Sequence, residues 1–351
     1  MNIPKKRKIL TRGGDGLIRM AEQDIPELKK GTIIVKVKAT LVSPGTELKG
    51  WQGYSEKQKN PVSTEKHSQF GYSNTGIVIE KSPDVSEFKI GDRVACVGAG
   101  FALHTDYAVM PHNLCVPLPV DVLFEQGAYA MLLATAMQTL RRGEPEFGEY
   151  VCIVGLGIVG LLTARLYQLA GCFPTGWEIN PFRRELAEKW GIPCTAGDTS
   201  AAKAFTENFG FDAAVLANFG TCDETLDKLV SCMKVSPDGH AMGKIMVVGW
   251  PVFSYGGKIG DMNNIDLRRC SRTGFGYHDA KWEFGEDYPQ VAMRWTTKTN
   301  LNLCLRLAAE KKINVDALTT HRIPFSRAEK ETADAMKTPQ NMLGVIFNPE
   351  A

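Results

Sequence analysis

Three glycines at the spacing Gly155-Leu156-Gly157-Ile158-Val159-Gly160 follow an apolar run, Val151 to Val154, and open a stretch with helical periodicity. A strand that turns sharply into a helix at such a sequence can hold a dinucleotide. Gly155 permits the tight turn, Gly157 lets the backbone approach a pyrophosphate, and Gly160 lets helix and strand pack closely. Leu156, Ile158 and Val159 supply the backbone between them, and the helix N-terminus offers N–H groups and partial positive charge to the phosphates. An acidic residue is expected roughly 20 residues on, at the end of the next strand, and Glu178 stands there. Its carboxylate would accept from both hydroxyls of an adenosine ribose and repel a 2′-phosphate, which predicts NAD(H) rather than NADP(H). Arg183 and Arg184 follow closely, and an arginine there could flank the adenine or tolerate a 2′-phosphate. Asn218 and Gly249, at the ends of the later runs FDAAVLAN and KIMVVGW, complete the candidate cofactor set. A glycine turn in a non-binding α/β fold is the competing reading.

The scaffold for these residues is legible in the periodicity. From about residue 121, EQGAYAMLLATAMQTLRRG reads as one helix ending at Gly143, and YVCIVGLG reads as an apolar strand entering the helix IVGLLTARLYQLAG. A strand ending near Trp177 and Glu178, the helix FRRELAEKWG, the strand FDAAVLAN, a helix near 222–234 and the strand KIMVVGW follow. Such alternation predicts a parallel sheet with right-handed crossovers. From 8 to about 120 the apolar stretches are short, β-branched and bounded by Gly, Pro, Asp or Asn, the pattern of a small β-barrel or sandwich. The polar stretch 54–69 reads as an exposed loop. After residue 300 a helix and β-like segments return to the first domain. The predicted organisation is a β-rich domain of 1–122 with 300–351, and an α/β nucleotide domain of 123–299.

Composition narrows the function classes. The chain has 351 residues, 44% apolar and 23% charged, an ordinary globular balance that excludes a disordered, collagen-like or coiled-coil chain. Lys and Arg number 41 against 39 Asp and Glu, so a net charge of +2 gives no reason to seek nucleic acid or an anionic membrane. No run approaches the ~18 apolar residues of a membrane span. The basic start Lys5-Lys6-Arg7-Lys8 lacks the apolar run of about 7–15 residues that a secretory signal needs. Nine cysteines lie far apart without a Cys-x-x-Cys pair, which predicts reduced core thiols, a cytoplasmic location and no four-thiolate zinc.

With those elements in place, the chain resembles the medium-chain dehydrogenase/reductase superfamily along essentially its whole length. VKVKATLVSPGTELKGWQG (35–53), FGYSNTGIVIEKSPDVSEFKIGDRVA (70–95), the helix before the glycines and the glycines themselves carry the resemblance. It implies an α/β protein with a GroES-like β-barrel domain plus a Rossmann doubly wound parallel-sheet domain, and a cofactor in the cleft between them. It also implies a small-molecule substrate (an alcohol, polyol, sugar, ketone or activated alkene) and a homodimer or homotetramer. Where the zinc-dependent branch has Cys-Gly-Thr-Asp, this chain has Pro44-Gly45-Thr46-Glu47; where that branch has Gly-His-Glu, it has Gly71-Tyr72-Ser73. A third ligand position falls on Met131, and Gly98 leads directly into FALHTDYAVMP where that branch has a four-cysteine lobe. Zinc takes thiolate, imidazole or carboxylate, so the resemblance implies a zinc-free member. SPGTE, GYSNTG, ACVGAGFALHTDYAVMPHN, YHDAKWEFGEDYPQVAMRWTTKTN (277–300) and TTHRIPF (319–325) look like a zinc-less branch also found fused to sugar-dehydrogenase-like domains.

Without a metal, another group must move the hydroxyl proton and stabilise the oxyanion. Tyr72, in the place of a ligand, is the first candidate acid/base, provided that its pKa is lowered from near 10. A tyrosine that only fills the vacated space is the rival reading. Thr46 falls where the zinc branch has its proton-relay hydroxyl, and His104 carries an imidazole that titrates in the useful range, or caps a turn. His278, Asp279, Asp287, Tyr288, Arg294 and Trp295 combine carboxylates with aromatic faces, as a polyhydroxylated ligand requires, or else they build a subunit contact or domain seam. His67, His112, His240 and His321 read as loop or surface histidines. The leading expectation is a zinc-independent, NAD-dependent dehydrogenase of a secondary alcohol in a sugar, sugar derivative or cyclitol. An NADPH-dependent reductase of quinones or activated alkenes is the alternative, and a cofactor-binding protein without turnover is the third.

Overall fold

A computed structural model describes residues 3–62, 67–254, 263–289, 291 and 293–350. The chain divides into two compact units, Met1–Ala134 with Thr273–Ala351, and Thr135–Arg272. The return to the first unit thus comes at Thr273, earlier than the periodicity suggested, and the segment 273–299 belongs with the β-rich part.

In the first unit the strand Thr32–Val42 is the organising element. Its 11 residues are long enough to pair antiparallel with Ser73–Lys81, with Tyr107–Pro111 and with Gly344–Asn348. The full sheet runs Thr319–Pro324, Gly344–Asn348, Thr32–Val42, Ser73–Lys81, Arg93–Val97, Cys115–Pro117, and irregularities in register let Thr32–Val42 bend. Leu10, Ile18, Val42, Phe70, Phe325, Val345 and Phe347 share one buried cluster, so the C-terminal strands are part of this core. The polar stretch after residue 53 is not simply a loop. Trp51–Lys59 is a helix in which Gln52, Glu56 and Lys59 are exposed while Trp51 and Tyr54 are buried. The Tyr54 hydroxyl donates to the Gly13 carbonyl at 3.2 Å, and the Trp51 ring N–H donates to the Leu343 carbonyl at 3.2 Å. His67–Gln69 pairs with Lys6–Gly13 as a short strand; residues 63–66 of the predicted loop lie outside the described residues.

The second unit is a six-stranded parallel sheet in the order Cys194–Thr195, Phe173–Trp177, Tyr150–Val154, Ala213–Leu216, Met242–Val247, Asn264–Arg269. Chain order reverses direction at Tyr150–Val154, and ligands of such sheets bind beyond the carboxyl ends of the strands at that switch point. The central strands Tyr150–Val154 and Ala213–Leu216 read as nearly continuous apolar runs and are almost wholly buried. The helix expected over 125–143 is two, Phe124–Gly127 and Ala130–Gly143. Thr199–Phe205 is an additional helix, capped by the Asp198 side chain accepting from the Ser200 and Ala201 N–H groups. All nine cysteines are free.

Gly160 shows how tightly the first crossover is built. A Cβ there would lie 1.9 Å from the Gly155 carbonyl oxygen, which rigid backbone cannot yield. Gly160→Ala should therefore destabilise the protein by about 1–3 kcal/mol, seen as a lower urea midpoint. An unchanged midpoint would show that helix and turn are not in contact as described.

Candidate active site

Two constellations carry chemistry, one in each unit. In the second, the helix Ile158–Leu169 begins at Gly157, a residue with no side chain to cap the first-turn N–H groups. Those groups stay available to an anion. Gly155 packs against Asn218, and Gly249 packs against the Asn218 carbonyl while its own N–H bonds to the Leu216 carbonyl at 2.9 Å. The turn, Asn218 and Gly249 thus meet at the carboxyl ends of neighbouring strands, and the side-chain oxygen of Asn218 has no hydrogen-bond partner. Leu156, Ile158, Val159 and Gly160 sit in the turn and first helical residues as expected.

Glu178 follows the strand Phe173–Trp177 and is only 6% exposed. One carboxylate oxygen accepts the Leu156 N–H at 2.8 Å and the other accepts the Asn180 N–H at 2.9 Å. The carboxylate therefore ties the glycine turn to the next turn, and each oxygen keeps a lone pair for a ribose hydroxyl. Arg183 lies 3.6 Å from the same carboxylate. Arg184 is spent on the carbonyls of Glu178 and Ile179, at 2.8 and 2.9 Å. This arrangement fits the adenosine and pyrophosphate portions of a nicotinamide dinucleotide.

In the first unit, Tyr72 follows Gly71, whose φ of +118° and close approach to the backbone of Leu103 and His104 exclude a side chain. Tyr72 is 8% exposed. Burial, and then the charge of Glu47, push its phenol above the ordinary value; hydrogen bonds from Ser43 and Thr46 act in the opposite sense. The lowered pKa expected of Tyr72 is thus corrected, since the pocket withdraws water and presents a carboxylate. Thr46 is exposed and sits in the short helix Pro44–Glu47 with the buried Glu47.

His104 is fully buried, with Nδ1 2.7 Å from the Thr40 hydroxyl and Nε2 3.3 Å from Glu47 Oε1. The edges of Phe70 and Phe347 close around the ring. His104 therefore has no open face for a substrate, and this corrects its place among the groups expected to touch one.

The expected substrate residues are drawn into their own segment. Asp279 caps the helix Ala280–Glu283 and accepts from the Tyr288 hydroxyl at 2.6 Å. Tyr288 stacks on the buried Trp282, and Asp287 accepts from the Asn113 amide at 2.9 Å. The exposed His278 has a φ of +69° and its ring lies against Tyr277. Arg294 lies over the Trp295 ring. Of this segment it is Tyr277 that acts electrostatically on Tyr72, with its hydroxyl accepting from the Ala99 N–H at 3.0 Å. Ser43, Glu47 and Tyr277 were not singled out by sequence; only the adjacency of Glu47 to Thr46 hinted at one of them. Of the other histidines, His67 contacts Arg19, His112 pairs with Glu87, His240 pairs with Asp238, and half-buried His321 contacts Thr320. Among the described residues no three His, Cys, Asp or Glu side chains cluster as a metal site would require.

Comparison with known proteins agrees with this architecture. The alcohol dehydrogenase GroES-like domain model matches residues 29–120. A probable D-xylulose reductase A of Emericella nidulans is 24% identical, across 95% of this chain and 94% of its own. The crystal structure of 2R,3R-butanediol dehydrogenase from Bacillus subtilis superposes with a TM-score of 0.73 at 18% identity, covering 98% of this chain and 99% of that one. The quinone oxidoreductase of Coxiella burnetii gives 0.69 at 18% identity, over 98% and 100%; these two structural likenesses speak for the fold alone. The chain thus carries an alcohol dehydrogenase GroES-like domain over residues 29–120 and is similar along its whole length to dehydrogenases and reductases of this two-domain fold.

Proposed function

We propose that this dehydrogenase moves a hydride between NAD(H) and a secondary alcohol or ketone of a sugar, sugar derivative or cyclitol, with no zinc. The observation that carries the reading is the Tyr72 phenol, set where the zinc-dependent branch has a histidine ligand and flanked by the Ser43 and Thr46 hydroxyls. Pro44 and Met131, at the other ligand positions, have no thiolate, imidazole or carboxylate to offer a metal. When bound, the nicotinamide supplies the hydride acceptor or donor. The chain's own residues supply the rest. Burial keeps the phenol protonated through neutral pH, so in the reductive direction Tyr72 donates a hydrogen bond and then a proton to the carbonyl oxygen. Thr46 orients that oxygen, and Tyr277 closes the pocket beside it.

Glu178 carries the choice of NAD over NADP. Two acceptor oxygens fixed by backbone N–H groups suit a ribose diol, while their charge opposes a 2′-phosphate. The relative named for xylulose reduction supports a polyol substrate, and within the segment 277–300 Tyr277 is the residue we assign to its pocket. A homodimer or homotetramer in the cytoplasm is the proposed setting.

Two substitutions test the assignments. Glu178→Ala should weaken NADH binding roughly 10–100-fold, the loss of charged hydrogen bonds, and narrow the gap to NADPH. Fluorescence titration with both nucleotides measures it, and unchanged affinities would place the ribose elsewhere. Tyr72→Phe removes one hydroxyl; kcat for NAD-dependent oxidation of xylitol or butane-2,3-diol should fall about 10²–10⁴-fold with NADH binding intact. A loss below about threefold would remove Tyr72 from the chemistry. Turnover of quinones with NADPH, and of no polyol, would replace this reading with the reductase.

A further inference from the structure

We propose that Glu47, held by His104, is the terminus to which Tyr72 passes its proton when an alcohol is oxidised, and from which the proton returns when a carbonyl is reduced. The inference rests on the reading of Tyr72 as the acid/base.

Tyr72 lies among groups that disfavour its phenolate, so it can take a substrate's proton only while giving up its own. The Ser43 and Thr46 hydroxyls within its reach can hand a proton on, but an alcohol's acidity is far too low for either to hold the resulting charge. The store must be a group that can hold the proton, and Glu47 is the carboxylate that acts on Tyr72. Its surroundings are built for that task. Glu47 is 6% exposed; Oε2 accepts the Ser43 N–H at 2.6 Å, and Oε1 lies 3.3 Å from His104 Nε2. That separation exceeds a settled hydrogen bond, and among the described residues neither atom has a hydrogen-bond partner.

A buried carboxylate left half-satisfied is costly unless a proton or a ligand completes it. The Thr40 hydroxyl donates its one proton to the Ser73 carbonyl at 2.8 Å and so accepts from His104 Nδ1–H, which leaves Nε2 an acceptor facing Oε1. Two acceptors so placed are completed by one shared proton, and a carbonyl cannot take a proton onward, so the chain of donors ends at this pair. His104 is wholly buried between Phe70 and Phe347, which keeps the store from equilibrating directly with solvent.

The balance closes. In oxidation the substrate O–H breaks and its proton forms the new Tyr72 O–H. The old Tyr72 proton moves through the Ser43 or Thr46 hydroxyl, and an O–H bond forms on Glu47. The substrate's C–H electron pair leaves as hydride to the nicotinamide. Reduction reverses each transfer. Glu47 and His104 touch no substrate, and their role is to position and receive this proton.

The test pairs a signal that needs no substrate with a rate. In NADH-loaded protein carrying ¹⁵N-histidine, the His104 ring N–H, assigned by its loss in His104→Gln, should resonate far downfield. In Glu47→Gln it should move upfield, because the amide keeps the Ser43 bond but has no acidic proton to share with Nε2. With xylitol or butane-2,3-diol and NAD, Glu47→Gln should lower kcat about 10²-fold with KM within about twofold. Glu47→Asp, which keeps the carboxylate, should regain most of the rate. An unmoved His104 signal, or a Glu47→Gln rate within about threefold of the wild type, overturns the proposal. If Tyr72→Phe is slow and Glu47→Gln is fast, the terminus falls while Tyr72 stands; if Tyr72→Phe itself is fast, the reading beneath both falls.

Discussion

A carboxylate taken out of water needs polar partners, and the first unit brings them to Glu47 from distant parts of the chain. The Ser43 N–H comes from the end of the strand Thr32–Val42, and the imidazole of His104 comes from the turn before Tyr107–Pro111. Phe70 and Phe347, which enclose that imidazole, belong to the segment before Ser73–Lys81 and to the last strand of the chain. Desolvation makes each contact stronger and its loss more costly than at the surface. The barrel core and the Tyr72 pocket are therefore stabilised by the same contacts. A change made at His104 for chemistry would be felt as packing, and the reverse.

Glu178 does the equivalent work in the second unit. By bonding backbone N–H groups on two successive turns it shapes the glycine turn. The parallel sheet supplies the rest without side chains, since strand ends at the switch point place Gly155, Asn218 and Gly249 together. Both units thus use a buried glutamate to order backbone around a polar site, to which the proposal gives phosphate and ribose in one and a proton in the other.

Local physics made much of this readable from the residues. The turn Gly155 to Gly160, the alternation of strand and helix, and the position of Glu178 depend on neighbours within one crossover, where spacing and geometry are nearly the same information. Contacts between distant segments were not readable. Tyr277 reaches Ala99 across 178 residues, and no periodicity announces that pairing. His104 looked like a site residue because imidazole titrates usefully, but its burial is decided by Phe70, Phe347 and Glu47. The carboxylates and aromatics after Tyr277 looked like a sugar site, whereas a segment with so many polar groups first satisfies itself: Asp279 caps a helix and Asp287 binds Asn113. The helix Trp51–Lys59 was hidden by its charged outer face, and only Trp51 and Tyr54 disclose the inner one.

The central claim is that protein groups alone handle the proton, at the positions where the zinc-dependent branch resembled in sequence has its ligands. The measurement that tests it most directly is turnover of a polyol panel with NAD, before and after exhaustive chelation, on protein whose zinc content is determined in parallel. The account predicts far less than one zinc per chain and a rate unaffected by chelator. Stoichiometric zinc, with activity lost on its removal and restored on its return, would contradict it.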